Sequence, residues 1–378
     1  MMSTIDAVFM RGGTSKALMI HRDAMPADVA DWGPPLMAAM GSPDPYGRQL
    51  NGMGGGVSSV SKACIVQPSE RDDADVDYSF VQVVVNGARV DMSGNCGNML
   101  SAVAPFAVDE QLITPPDGEA VVRVYNTNTK KIIHATFAVA DGRTVYAGDL
   151  AIPGVSGTGA PIRLDFIEPG GASTGRLLPT GAVRQTLDVP GLGAFDVSMV
   201  DAANACVFIA AEAIGLSGTE LPTEIESVPG LLGRLAQIRI AASVAMGIGR
   251  DAEHAATVIH VPFVCIISAP QNAVDMSGQA HRADEMDLTA RVISNGVPHQ
   301  ALPLTATLCT AVAAKLPGSL VAETVRTGGD GTLRVGMPSG ILTADASVEC
   351  HDGTWFAKRG SFFRTARPLM KGTVFVHA

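Results

Sequence analysis

Charge is scarce in this chain: Asp, Glu, Lys and Arg make up 17% of its 378 residues, with 27 Lys and Arg against 37 Asp and Glu. The cations are scattered and form no block or stripe, which argues against nucleic acid as a partner. No apolar run reaches the roughly 20 residues needed to span a bilayer, so no membrane partner is expected either. The segment from Met1 to Lys16 carries Asp6 and Arg11 and soon enters Gly12-Gly13. It lacks the cationic-then-apolar order of a secretory signal, and the cytoplasm is the expected location. The six cysteines, Cys64, Cys96, Cys206, Cys265, Cys309 and Cys350, never fall in C-x-x-C spacing. That leaves a zinc cluster or a disulfide framework without support. The eight histidines do not cluster and no H-E-x-x-H occurs, so no metal is expected.

What is present is glycine and proline, 41 and 23 residues, in a chain that is 47% hydrophobic. This composition describes a compact, turn-rich globular enzyme, long enough for two domains of ordinary size. The net charge is −10. An acidic protein that binds an anion must place its positive charges locally, so Lys and Arg in glycine-rich turns are the ones to watch.

Short alternating apolar runs bounded by Gly, Asn and Pro predict many strands. They include Tyr78–Val85, AVVRVYN, KIIHATFAV, ATVIHVPFVCIIS and GTLRVGM. Helical stretches are fewer: one from Cys96 through GNMLSAVAPFAVDEQL, one over Ala301–Lys315, and one in LLGRLAQIRIAASVAM. The order of elements repeats once. DAVFMRGGTSKALMI is echoed by DVSMVDAANACVFIA, and SKACIVQPS by HVPFVCIISAP. VVVNGARVDMSGNCGNMLSAVAPFAV is echoed by RVISNGVPHQALPLTATLCTAVAA, and RVYNTNTKKIIHATFAV by RVGMPSGILTADASV. Four agreements in order imply an internal duplication with a boundary near Gln185–Gly191. Domains over 1–186 and 187–378 follow, the final strand returning to the first. The helices after the two Asn-Gly turns are apolar nearly all round and are expected to be buried, each wrapped by strands. A site would lie in the cleft between the halves.

Three segments carry candidate chemistry. In Ser93-Gly94-Asn95-Cys96-Gly97-Asn98 a strand ends near Asp91 and an apolar helix begins, so Cys96 falls at a helix N-terminus. There the free N–H groups and the positive dipole end favour a thiolate. The same N–H groups can hold a carboxylate or an enolate oxygen, and the plain alternative is a capped helix start holding a small buried thiol. Met10-Arg11-Gly12-Gly13-Thr14-Ser15-Lys16 is a strand and a glycine turn with two hydroxyls and two cations. It is equipped for an anion, or it is an ordinary hairpin with surface charges; G-x-x-x-x-G-K spacing is absent. GSPDPYGRQLNGMGGGVSSVSK, Gly41 to Lys62, is too rich in Gly and Ser for an element interior and must be a long loop. Lys62, where the loop meets the strand ACIV, serves as acid or base, pairs with a substrate carboxylate, or is simply solvated. His299, ahead of the second apolar helix, echoes the position of Cys96 and lines the cleft or merely starts the helix.

MRGGTSK, GSPDPYG-R-Q, the SSxSK loop, SGNCGN, LPTG (Leu178–Gly181), MPSG (Met337–Gly340) and ARPLMKG (Ala366–Gly372) together resemble the PrpF-type family over essentially the whole chain. That family includes 2-methylaconitate isomerase, methylitaconate delta-isomerase and oxalomesaconate tautomerase. The resemblance implies an α+β, diaminopimelate epimerase-like fold of two similar domains, each a barrel-like sheet around a central helix. It also implies an isomerase with no metal or organic cofactor, and it places the catalytic pair on Cys96 and Lys62. Ala17 stands where many members have Gly, and Asp201–Cys206 departs from the N-A-G-x-P pattern of the methylaconitate branch. The second central helix starts without a cysteine, which disfavours a two-thiol racemase.

The expected reaction moves a proton and a double bond on a small unsaturated di- or tricarboxylate such as aconitate, 2-methylaconitate or methylitaconate. Cys96 is the expected base and Lys62 the acid or carboxylate anchor, with the reverse assignment open. Thr14, Ser15, Lys16, Arg48, Asn95, Gly97, Asn98 and His299 are the expected substrate contacts. The expected partners are that small carboxylate and a second copy of the chain in a homodimer. Alternatives are a keto-enol tautomerase of oxalomesaconate type, an amino-acid epimerase drawing on Cys206 or Cys309, and a non-catalytic carboxylate-binding accessory protein.

Overall fold

The computed structural model describes residues 2–92, 96–326 and 331–377. In chain order the first elements are β1 (Met2–Gly12), β2 (Ser15–His21), α1 (Gly33–Met40), β3 (Lys62–Pro68), β4 (Val76–Val83) and β5 (Val90–Asp91). Then come α2 (Gly97–Asp109), β6 (Gly118–Asn126), β7 (Lys131–Ala140), β8 (Arg143–Thr144) and β9 (Ile162–Ile167). They are followed by β10 (Gln185–Val189), β11 (Gly193–Asp201), β12 (Ala205–Ala210), α3 (Pro222–Ser227), α4 (Leu231–Ala245), α5 (Ala252–Thr257) and β13 (Phe263–Ser268). The last are β14 (Ala273–Val274), β15 (Ala280–His281), β16 (Leu288–Ser294), β17 (Val297–Pro298), α6 (Leu304–Ala314), α7 (Leu320–Thr324), β18 (Leu333–Met337), β19 (Gly340–His351), β20 (Thr354–Arg364) and β21 (Ala366–His377). The chain forms two compact units, one of Met1–Asp165 with Phe363–Ala378 and one of Phe166–Phe362.

In unit 1 the strand order is β21-β1-β2-β3-β4-β6-β7. From β1 to β7 the pairings run antiparallel, parallel, antiparallel, parallel, antiparallel. Unit 2 repeats this through β11-β12-β13-β16-β18-β19, with the same five senses in the same order. The short strands match as well, β5 on β4 and β17 on β16. Each of the four echoed segments therefore folds as the same part of the same ladder. The fold is the expected α+β, diaminopimelate epimerase-like arrangement.

Each sheet is packed on a helix of its own unit. In α2, the ten residues from Met99 to Val108 are all buried, against strands that include β1, β2, β3, β4, β6 and β7. In α6, Ala306 to Ala313 are buried against β11, β12 and β19. A helix that is apolar nearly all round has little face to turn to water, so the strands pack around it. Cys206, Cys265 and Cys309 lie in this second core. The other face of the unit 1 sheet carries a second core, where Leu18, Ile20, Ala63, Ile65 and Val81 meet Trp32, Leu36 and Met40.

One predicted strand is only half right. ATVIHVPFVCIIS is a strand only over Phe263–Ser268; its start belongs to α5. Asp251 accepts a hydrogen bond from the His254 N–H at 2.7 Å and caps a helix there. Pro262, which has no N–H to give a ladder, separates it from β13. Likewise α6 starts at Leu304 rather than Ala301, because Pro303 is its N-cap. No helix among the described residues is long and apolar enough to cross a membrane.

Leu100 is fully buried in α2. Leu100→Ala should cost about 2–5 kcal/mol in urea unfolding, through lost transfer energy and the cavity left behind. A loss under about 1 kcal/mol would mean that α2 is not the core of its unit.

Candidate active site

The site is assembled from the α2-facing side of the unit 1 sheet. Side chains alternate across a strand, so Lys62 and Cys64 of β3 share one face and Ala63 and Ile65 the other. Ala63 and Ile65 go to the core under α1, which leaves Lys62 and Cys64 facing α2. Lys62 is 7% exposed. Its Nζ donates to Gln82 Oε1 and lies 5.0 Å from the centre of the Phe80 ring. Among the described residues no salt bridge engages it.

Cys96 is the N-cap of α2, in extended conformation, and its side chain makes no capping bond. The thiol is half-buried, with Sγ 3.9 Å from Ser15 Oγ. The first helical bond runs from Leu100 N to the Cys96 carbonyl, 3.1 Å. The N–H groups of Gly97, Asn98 and Met99 therefore precede the helical ladder, as the opening groups of any helix do. Cys64 lies close by, fully buried, with Sγ 3.9 Å from the Tyr78 hydroxyl. Burial pushes the Cys64 thiol up; the neighbouring Cys96 adds to the rise and Lys62 opposes it. Burial likewise raises the Tyr78 phenol, reinforced by Cys64 and Cys96. Cys96, Lys62, Cys64 and Tyr78 thus share one electrostatic neighbourhood.

The glycine turn after β1 is packed onto the start of α2. A Cβ on Gly12 would stand 2.7 Å from the Asn98 carbonyl oxygen, and one on Gly13 2.3 Å from Asn98 Oδ1. Asn98 Oδ1 accepts from Thr14 N at 3.4 Å and from Arg364 Nε at 3.1 Å. Arg364 is 7% exposed, and burial lowers its pKa to about 10. Arg11 binds the same turn from the other side, donating to the carbonyls of Gly13 (2.9 Å) and Thr365 (2.8 Å).

The loop from Gly41 to Ser61 is held by polar side chains. Asp44 accepts from the N–H groups of Tyr46, Arg48 and Gln49, and those bonds, that of Tyr46 foremost, hold its carboxyl below the usual range. Gln49, 1% exposed, donates to Ser42 Oγ and Ser61 Oγ and accepts from Gly56 N. The loop thereby delivers its last residue, Ser61, to the start of β3.

Thr14, Ser15, Cys96, Gly97 and Asn98 stand together, and Lys62 joins them on the α2 side of the sheet. Lys16, next after Ser15 in the strand, turns to the opposite face and lies over the Phe9 ring at 5.6 Å. Arg48 is exposed and lines a cavity of about 630 Å³ with Tyr46, Leu50, Asn51 and Phe375. His299 belongs to unit 2, where it pairs with Ser294 Oγ at 2.5 Å, and burial lowers its pKa. Asn95, with Ser93 and Gly94, lies outside the described residues. Sequence reasoning passed over Gln82 and Arg364. Both carried a signal: Gln82 is a polar residue between valines in VQV, and Arg364 follows an apolar pair at the end of its strand, FFR.

Among the described residues no group of three or more His, Cys, Asp or Glu is arranged to hold a metal. The arrangement is suited to proton transfer: a half-buried thiol at a helix start, a buried amine, and N–H donors for an oxyanion.

A family model described as PrpF protein matches residues 2–377. The 3-methylitaconate isomerase of Eubacterium barkeri is 38% identical over 375 residues, 98% of this chain and 97% of its own. The 2-methyl-aconitate isomerase of Shewanella oneidensis is 36% identical over 383 residues, 98% of this chain and 96% of its own. The crystal structure of a methylitaconate-delta-isomerase superposes with a TM-score of 0.91 at 38% identity, covering 99% of this chain and 96% of that one.

Gly13 has φ +53°. Gly47 has φ +67° with nothing within 4 Å of its Cβ position. Gly47→Ala should cost only the left-handed backbone penalty, about 1–2 kcal/mol. Gly13→Ala should cost clearly more in urea unfolding, because it also displaces Asn98. Equal losses would mean that the turn is not pressed on α2.

Proposed function

The chain belongs to the PrpF protein family and is an isomerase, and on that premise we propose that it shifts a proton and a double bond on a small unsaturated di- or tricarboxylate. Aconitate, 2-methylaconitate and methylitaconate are the acids it would take. Relatives named for methylitaconate and methyl-aconitate support that class. The observation that carries the reading is geometric: the half-buried Cys96 thiol stands at the start of α2 against Ser15, and the buried Lys62 amine lies on the α2-facing side of the same sheet.

The substrate bears an acidic C–H beside a C=C and a carboxylate. Cys96, as thiolate, takes that proton, and the electron pair spreads over the allylic system and the carboxylate oxygens. Lys62, as ammonium, returns a proton to the far carbon, so the double bond migrates and the molecule keeps its composition. A second proton exchange between the two side chains or with water restores the starting charges. Such a C–H is a very weak acid, so the dienolate oxygens need donors already in place. The N–H groups of Gly97 and Asn98 are suited to that part, with the positive end of α2 behind them. Thr14 and Ser15 would hold a remaining carboxylate. Lys16, Arg48 and His299 are assigned no step. No metal or organic cofactor enters this scheme.

The test is a panel of aconitate, 2-methylaconitate, methylitaconate and oxalomesaconate, followed by absorbance and by proton NMR in deuterium oxide. At least one acid should isomerise, with solvent deuterium entering at the carbon that gains the proton. Cys96→Ser should fold normally and lose about 10²–10⁴-fold in turnover, the usual range for removing an acid/base group. Turnover retained in that variant, or none by the native chain on any acid, would overturn the reading.

A further inference from the structure

We propose that Gln82 is the positioning residue of Lys62: it holds the amine toward the α2 side of the sheet while leaving its charge free to change. This rests on the reading of Lys62 as an acid/base group. Lys62 and Gln82 are directly opposite in the β3–β4 ladder, so their side chains leave the sheet on the same face. Lys62 Nζ donates to Gln82 Oε1.

The orientation of that amide is dictated by its other end. Gln82 Nε2 donates to the carbonyls of Ser61 (2.8 Å), Ser58 (3.1 Å) and Val83 (3.3 Å). Carbonyls only accept, so the amide nitrogen must face them and the oxygen must face Lys62. Ser58 and Ser61 belong to the end of the glycine-rich loop. Gln82 therefore ties the loop's last turn to the amine in one bonded chain.

The chemical choice of an amide matters. A carboxylate at this place would favour the ammonium form and resist proton release, whereas an amide orients the amine with no charge of its own. The groups around Lys62 agree with this. Its own strand presents the Cys64 thiol; β4 presents Phe80 and the Tyr78 phenol; α2 presents the Cys96 thiol. On β2 the titratable His21 lies at the far end of α2, against Glu110 at 3.4 Å. The carboxylate in register with this row is Asp91 of β5, directly across from Gln82. Gln82 stands between that acid and the lysine.

Two variants test this in the full-length protein. Gln82→Met removes the acceptor for Lys62, and with it the Nε2 donor to the loop carbonyls, at similar volume. Its melting temperature should stay within about 5 °C of the parent, with kcat reduced about 10-fold or more and KM changed less than about threefold. A merely structural role would lower stability and leave kcat alone. Gln82→Glu places a carboxylate against Nζ. The limb of the pH–rate profile that belongs to Lys62 should move up by about one pH unit or more, because an adjacent anion stabilises the ammonium. The midpoint of Lys62 acetylation by acetic anhydride, followed across pH by peptide mass spectrometry, should move by the same amount. That labelling requires no turnover, so it judges Gln82 even if the native chain isomerises no acid on the panel, which would sink only the functional reading. Unchanged kcat in Gln82→Met, or an unmoved labelling midpoint in a folded Gln82→Glu, would overturn the proposal. Should Gln82→Glu fail to fold, Gln82→Met decides it alone.

Discussion

Asn98 locks the start of α2 into unit 1. Its carboxamide oxygen fills the space that a side chain on Gly13 would need, and it takes hydrogen bonds from Thr14 and Arg364. Three stretches of chain meet at this one atom: the turn after β1, the first turn of α2, and the end of β20. The start of α2 cannot shift without breaking that junction, and Cys96 is the residue immediately outside it. Two glycines in succession are needed because a Cβ on Gly12 would meet the helix backbone at the Asn98 carbonyl and one on Gly13 would meet the Asn98 carboxamide.

Carboxamides recur as the organising groups of this region. Gln49 gathers the long loop, Gln82 holds Lys62, and Asn98 clamps the helix start. Each offers a donor and an acceptor whose roles are set by what surrounds them, and none adds charge. For chemistry on a small anion this is a useful economy. A carboxylate near the thiol and the amine would repel the proposed substrate and hold the lysine protonated. An amide gives the same directional control without either effect.

The two units share one plan and differ at their helix starts. Both units run through the same sequence of antiparallel and parallel pairings, so their cores are built alike. Their helix starts have diverged. α2 opens with Cys96 and Gly97, whereas α6 opens with Pro303, and its only sulfur, Cys309, is buried in mid-helix and donates to the Val200 carbonyl at 3.3 Å. Cys206 lies with Cys265 and Cys309 in the same core as a free thiol, and burial raises its pKa. These thiols are packing groups of unit 2.

Much was legible before any coordinates. The strand ending at Asp91, followed by an unbroken apolar run, was enough to put Cys96 at a helix start. The apolar character of both central stretches was enough to bury them, and the order of turns and strands was enough to reveal the repeat. These features are written in neighbouring residues, and local periodicity decides them. Other features depend on which strand lies beside which. That Gln82 would meet Lys62 depended on the register of β3 against β4. That Arg364 would meet Asn98 depended on the chain returning across 266 positions. That Ser15 and Lys16 would part to opposite faces followed from a strand whose inward side only the packing of α2 could choose. Sequence determined the longer helices, most of the strands and the chemical inventory, because those follow from short-range preference. Tertiary structure decided which polar groups touch, because a hydrogen bond needs its partner within about 3 Å and only the folded chain brings distant residues that close.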